Sequence, residues 1–184
     1  MQSVLILHRS KHGHTAKIAD RIAQVIRADH VEVTVHPIDV AGVLALETYD
    51  AIVIGSSIHA GRHDHVTLDW IRRHAHSLNA MPSAAYSVSL TAAEDTEEAR
   101  GHVERFLHDL LEETGWTPTL KTSFAGALQY LEYDRFTRLL VRLLMKKGGH
   151  PTDTSRDYDY TNWDAVEAFA HEIAALAAKP AGVG

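Results

Sequence analysis

Short aliphatic runs alternate with longer amphipathic ones along this chain, and that alternation restricts it to a parallel sheet wrapped by helices. Residues 4–7 form an aliphatic run of the kind found in strands buried on both faces. Residues 15–28 carry Ile18, Ile22, Val25 and Ile26 at helical spacing. Val31, Val33 and Val35 then alternate with polar residues as far as His36-Pro37, a second strand stopped by the proline. The most strand-like run is 51–55. A helix is expected over 66–78, with Leu68, Ile71, Ala75 and Leu78 on one face. Residues 84–90 read as a fourth strand, 94–114 as a helix ended by Gly115, and 121–128 as a fifth strand. The last helix is expected over 162–178, with Val166, Phe169, Ala170, Ile173 and Leu176 inward. The order β-α-β-α-β-α-β-α-β-α fits a five-stranded, doubly wound α/β domain spanning residues 1–184, with right-handed crossovers covering both faces.

Residues 129–161 break the pattern. They separate the fifth strand from the last helix, where a connection of about 2–6 residues is normal. Within them, 131–147 place Phe136, Leu139, Leu140, Leu143 and Leu144 on one helical face. Arg135, Arg138, Arg142 and Lys146 form a separate basic stripe, and Gly148-Gly149 would end the helix. The insertion is therefore expected to hold an amphipathic basic helix plus a loop. Three roles stay open: a helix covering the core, an interfacial helix with its basic stripe on lipid phosphates, or arginines that grip carboxylates.

Net charge sharpens that choice. The chain carries 18 Lys+Arg against 24 Asp+Glu, a formal −6, which argues against nucleic acid as a partner and, on average, against an anionic membrane. Residues 131–147 reverse this locally, with five Lys/Arg against Glu132 and Asp134, an excess of +3. Zero cysteines exclude disulfides, thiolate metal sites and Cys nucleophiles. Fourteen histidines are many, and His8, His12, His14, His59, His63 and His65 can gather near the strand ends. Their spacing matches no metal-ligand motif, so no metal is expected. No apolar stretch reaches the ~18 residues of a spanning helix, and the first residues lack a basic leader. The expectation is a cytoplasmic protein.

Three segments at expected strand ends carry ligand-binding chemistry. The first, Ser10-Lys11-His12-Gly13-His14-Thr15, immediately precedes a helix. It is neither a Walker A loop nor a GxGxxG turn. It still offers a helix N-terminus, a glycine for close backbone approach, two hydroxyls and a lysine, all suited to a phosphate. The same residues also suit an ordinary helix cap. The second is 55–63, with Ser56, Ser57, Ile58, His59, Arg62 and His63; the third is 87–93, with Ser87, Val88, Ser89 and Leu90. Small polar residues at three neighbouring strand ends would line one crevice able to bond the edge of a flat ring.

Ser-x-x-Gly-x-Thr at 10–15, with the segments 55–61 and 87–93, resembles the flavodoxin-like FMN-binding fold. More specifically, the chain resembles the menaquinone-dependent protoporphyrinogen oxidases. The resemblance is carried by 81–90 (Met-Pro-Ser-Ala-Ala-Tyr-Ser-Val-Ser-Leu), Phe124-Ala125-Gly126-Ala127-Leu128-Gln129-Tyr130 and Tyr133-Asp134-Arg135-Phe136. It continues through Leu144-Met145-Lys146, Gly148-Gly149, Thr152-Asp153-Thr154 and Tyr160-Thr161-Asn162-Trp163, so it covers nearly the whole chain. It implies FMN, with its phosphate on 9–15 and its ring between the second and third segments. It also implies oxidation of protoporphyrinogen IX to protoporphyrin IX in haem synthesis, with electrons passed to a membrane quinone. Peripheral association with the inner face of the cell membrane through 131–147 follows from that acceptor. His59 and His63 are the expected proton acceptors beside the flavin. Arg62, with the insertion's Arg135, Arg138, Arg142 and Lys146, is expected on the substrate or the membrane.

One departure stands out. Segments 56–63 and 87–93 contain no Phe, Tyr or Trp, the side chains flavodoxins stack on the ring. Either His59, Arg62 or an insertion residue covers the flavin, or one face stays open for substrate. A flavodoxin-type electron carrier and a general quinone reductase are the competing functions. The long basic insertion does not suit the carrier, and no nicotinamide-binding motif supports the reductase.

Overall fold

A computed structural model describes residues 2–10, 13–41, 44–128, 153 and 155–178. The aliphatic runs become strands β1 (Ser3–Arg9), β2 (Glu32–Pro37), β3 (Ala51–His59), β5 (Ser83–Ser89) and β6 (Leu120–Ala125). A two-residue strand, β4 (Arg62–His63), folds back antiparallel on β3. The five longer strands pair in parallel in the order β2-β1-β3-β5-β6. Chain order reverses between β1 and β3, so their carboxyl ends open the crevice where ligands of such sheets bind.

Strand alternation sends successive side chains to opposite faces. Val4 and Ile6 of β1 pack with Val53, Ala84, Tyr86 and Phe124 under helices α1 (His14–Ala28) and α4 (Trp163–Ala177). Leu5, Leu7, Ile52, Ile54 and Ala85 face helices α2 (His65–Asn79) and α3 (Glu97–Thr114). Ile18, Ile22 and Ile26 form the inward stripe of α1, and Val166, Phe169 and Ile173 that of α4. An Arg21–Glu167 ion pair ties these two helices together across their outer edge.

The boundaries differ from expectation in four informative places. Strand β3 runs on to His59, so Ser56, Ser57 and Ile58 lie within the sheet rather than in a loop after it. Between β2 and β3 the described residues form single 3-10 turns at Ile38–Val40 and Leu46–Thr48, where the alternation implied a helix. Helix α3 starts at Glu97, not 94, because the Thr96 hydroxyl accepts from Ala99 N–H and residues Thr91–Ala93 close a 3-10 turn first. The fifth strand, expected to run unbroken over 121–128, divides at Gly126. The Gly126 N–H still donates to Ser89 carbonyl, and the chain then leaves the sheet as β7 (Ala127–Leu128).

Strand β7 pairs antiparallel with β8 (Tyr158–Asp159) in a separate two-stranded ribbon, which brings the end of the 129–161 insertion back beside its start. Residues 129–152 and 154 lie outside the described residues. The amphipathic helix expected in 131–147, with Arg135, Arg138, Arg142 and Lys146, falls among them.

Candidate functional site

The carboxyl end of β1 feeds directly into α1, and the join is built differently from the other helix starts. Asp64 caps α2 by accepting from Val66 N–H, Thr96 caps α3, and Asn162 caps α4 by accepting from Ala165 N–H. At α1 the cap position is Gly13, at φ 85°, and no side chain caps the helix. The left-handed backbone there favours glycine. The first-turn amides, with no side-chain cap among the described residues, carry the positive end of the helix dipole, a geometry that suits an anion. Lys11 and His12 of this segment lie outside the described residues. Ser10 is part-exposed beside the turn, while Thr15 is buried.

Tyr86 holds this turn from below. Its ring is fully buried against Gly55, and its hydroxyl donates to the Thr15 carbonyl at 3.2 Å. Burial pushes the phenol pKa far up, so it remains a donor. His14, expected among the phosphate-facing residues, turns its ring the other way. Nε2 lies 2.6 Å from Thr161 Oγ1, and that hydroxyl donates to Ala125 carbonyl at 2.8 Å, so His14 Nε2–H is the donor. Asp159 accepts from Thr161 N–H and pairs with Lys17 at 3.1 Å, and Trp163 meets the His14 ring edge-on. The end of the insertion is thereby latched to the start of α1. Thr161 and Trp163 belong to the motif that carried the resemblance, but nothing in their spacing pointed to His14.

The second and third segments are also more committed than their composition suggested. Ser87 and Ser123 hydroxyls bond each other at 2.7 Å, and Ser89 Oγ accepts from Ala92 N–H at 3.2 Å. Ser56 Oγ lies 2.8 Å from His63 Nδ1, while His63 Nε2 lies 2.8 Å from Phe106 carbonyl. A carbonyl only accepts, so Nε2–H donates to it and Nδ1 accepts from Ser56. Burial pulls the His63 pKa down against the effect of that carbonyl. An imidazole committed at both nitrogens pins the β3–β4 hairpin to α3 and is not placed to take a substrate proton. Val88 is buried in the core, and Ile58 and Leu90 are part-buried at the strand ends. Ser57 is different: its hydroxyl is buried with no hydrogen-bond partner among the described residues, as is Nδ1 of His8. Thr67 Oγ1 and Trp70 Nε1 on α2 also lack a partner among them; Ser57 differs from these two in lining the cavity beside the hairpin, where its hydroxyl can meet a ligand.

Around the hairpin, Arg9, Ser57, His59, Arg62, His63, Asp64 and His65 line a cavity of about 360 Å³. Larger cavities, of about 740 and 720 Å³, lie at the opposite end of the sheet beside Met81-Pro82 and Trp116–Pro118. Among the described residues, the side chains that approach one another as metal ligands would are His108, Asp109 and Glu112, on the surface of α3.

Burial also lowers the pKa values of His8 and His14, in each case against nearby carboxylates. All three lowered histidines favour the neutral form when folded, and the unfolded chain protonates near 6.5. Their stabilisation is complete above that value and is lost as pH falls through the lower folded values. Thermal melts between about pH 8 and 5 should show falling stability below about pH 6.5. His63→Gln should flatten the decline; an unchanged slope would remove His63 from this account.

A family profile described as Flavodoxin domain matches residues 5–155. The chain is 36% identical over 175 residues to a Leishmania major protoporphyrinogen IX dehydrogenase (quinone), covering 94% of this chain and 74% of that one. It is 35% identical over 179 residues to the Escherichia coli K12 protein of the same name, covering 96% and 97%. Among solved structures it is similar to a flavodoxin from the domain Archaea, with TM-score 0.57, 16% identity and coverage of 97% and 100%. Oxidised Flavodoxin 1 from Bacillus cereus gives TM-score 0.54, 21% identity and coverage of 94% and 97%. The structural likenesses establish the fold, and the sequence likenesses narrow it. With its uncapped glycine turn at the switch point of a flavodoxin sheet, this chain belongs to the flavodoxin-domain family and, within it, to the quinone-linked protoporphyrinogen IX dehydrogenases.

Proposed function

We propose that the protein oxidises protoporphyrinogen IX to protoporphyrin IX with bound FMN and passes the electrons to a quinone. The observation that carries this is likeness over 97% of the E. coli dehydrogenase, because the fold alone serves electron carriers and enzymes alike. The residues present fit FMN: the free first-turn amides of α1 with Gly13 suit its phosphate, and the orphaned Ser57 hydroxyl supplies a buried polar partner. Main-chain groups at the ends of β3 and β5, with the donor of the Ser89 hydroxyl, remain for the ring edge, since the hydroxyls of Ser56 and Ser87 bond within the protein. When bound, FMN supplies the two-electron acceptor for hydrogen removed from the porphyrinogen.

The chain's own contribution is placement and electrostatics. Tyr86 sets the height of the α1 turn, and the His14–Thr161 latch sets the path of the chain leaving the insertion. His59, exposed at the end of β3, is the remaining candidate proton acceptor on the hairpin. Among the described residues no helix is long and apolar enough to cross a membrane. Contact with the bilayer that holds the quinone falls instead to 131–147, outside the described residues, through its apolar face and basic stripe.

Purified, flavin-loaded protein should generate porphyrin fluorescence from protoporphyrinogen in a manner that depends on a menaquinone analogue. A loaded protein giving no quinone-dependent porphyrin would overturn this reading in favour of an electron carrier. With the quinone held in anionic vesicles, charge reversal at Arg138 and Arg142 should slow the reaction and leave the rate with soluble analogue intact. Equal rates in vesicles would remove the membrane role.

A further inference from the structure

The β3–β4 hairpin carries a charge arrangement that the fold does not require. Strand β3 turns at Ala60 and Gly61, both at positive φ (50° and 74°), the two-residue geometry that matches strand twist. For Ala60 that region is unfavourable by about 1 kcal/mol or more, a strain of the sort retained at functional sites. The turn sets His59 directly opposite Arg62 in the antiparallel register, so both side chains leave the same face of the ribbon. Ser57, two residues earlier, lies on that face as well.

The two arginines on the 360 Å³ cavity then differ. Arg9 is neutralised, pairing with Asp39 at 2.8 Å and approaching Asp64 at 3.5 Å. Asp64 is further occupied as the cap of α2. Arg62 is exposed and has no carboxylate partner among the described residues. In a chain of net charge −6, it presents an unneutralised planar fork at the mouth of a cavity flanked by the imidazoles of His59 and His65. Such a fork matches a carboxylate in two parallel hydrogen bonds. The volume lies at the low end of the ~300–1,000 Å³ of small-ligand clefts, which suits an acid side arm and not a whole macrocycle.

We propose that Arg62, at the mouth of the hairpin cavity, is a substrate-anchoring residue that binds one propionate carboxylate of the porphyrinogen. This rests on the reading of the chain as a porphyrinogen dehydrogenase, whose substrate carries two such arms. The hairpin rises from the carboxyl end of β3, beside the flavin crevice. A carboxylate held there fixes one corner of the macrocycle while the reacting carbons reach over the ring. Binding at this corner is uniform through the reaction, so its loss falls on KM.

The test compares flavin-loaded wild type and Arg62→Gln on protoporphyrinogen IX and on its dimethyl ester. Wild type should prefer the diacid. Arg62→Gln should raise KM for the diacid about tenfold with kcat held, and so narrow the acid-over-ester preference. Direct binding of protoporphyrin IX and its dimethyl ester, read by fluorescence anisotropy, should show the same loss of preference. Arg62→Lys, which keeps the charge but not the fork, should fall between the two. An unchanged acid-over-ester ratio in Arg62→Gln overturns the inference. A tenfold loss of FMN affinity in that variant also overturns it, by assigning the cavity to the flavin. Wild-type protein that turns over neither substrate, yet still binds the diacid through Arg62, refutes the dehydrogenase reading and leaves the carboxylate site standing.

Discussion

Gly55→Ala should destabilise the protein by about 3 kcal/mol, the upper part of the range for overpacking a core, and should weaken FMN binding about tenfold. A Cβ at this position would lie 2.0 Å from Cζ and 2.2 Å from the hydroxyl of Tyr86, distances at which one group must move. Neither has room. Gly55 lies in the middle of β3, paired to β1 on one side and β5 on the other, and Tyr86 is fully buried. Displacing the ring breaks its hydrogen bond to the Thr15 carbonyl, and Thr15 is in the first turn of the helix proposed to bind the phosphate. A packing error within the sheet therefore becomes a binding error at its edge. At about 2–4 °C per kcal/mol for a chain of this size, melts should fall by roughly 6–12 °C. Tyr86→Ala removes the clash, so the double variant should be hardly less stable than Tyr86→Ala alone. Strict additivity in that cycle would show that the ring is not what Gly55 accommodates.

Trp116→Ala should cost as much or more, about 3–5 kcal/mol, without disturbing the flavin site. Trp116 is fully buried among Leu5, Ile52, Trp70 and Leu110, and its indole N–H donates to Ser83 Oγ at 3.1 Å. Truncation leaves a large void at the amino end of β5, where the Ser83 hydroxyl keeps its bond to the Leu78 carbonyl but loses the indole donor, while the crevice lies at the carboxyl ends of the strands. FMN titrated into each variant separates the two effects. Saturating FMN should raise the melting temperature of Trp116→Ala by the wild-type increment and that of Gly55→Ala by less, because the increment depends on affinity for the folded state. Equal increments would break the link between Tyr86 and the cradle.

Much of the fold could be read directly because parallel strands buried on both faces leave continuous aliphatic runs. Residues 4–7 and 51–55 therefore marked β1 and β3, and the 3.6-residue stripes of Ile18-Ile22-Ile26 and Val166-Phe169-Ile173 marked α1 and α4. Where local pattern was silent, the boundaries moved. Polar Ser56 and Ser57 gave no sign that β3 continues to His59, since the hairpin that extends it depends on two positive-φ residues. Gly126 ends β6 because of pairing between β7 and β8, which lie on either side of the insertion.

The candidate site divides along the same line. Gly13 was legible as a turn between a strand and an amphipathic helix, while the choice between a phosphate cradle and an ordinary cap stayed open. The roles of the histidines were not. His14 meets Thr161 at 147 residues' separation, and His63 meets the Phe106 carbonyl at 43, so no local pattern shows what either ring bonds. The hydroxyls of Ser56, Ser87 and Ser89 likewise have partners that composition does not show: His63 Nδ1, Ser123 Oγ and the Ala92 N–H.

By itself, then, the sequence determined the alternation of strands and helices, the glycine turn and the family, because these rest on periodicity and short contiguous motifs. Tertiary structure alone decided which polar groups remain for ligands. Each buried donor or acceptor must find a partner, and those partners come from distant segments. Around the crevice, the groups that keep no side-chain partner among the described residues include the first turn of α1, His8 Nδ1, the Ser57 hydroxyl and the fork of Arg62.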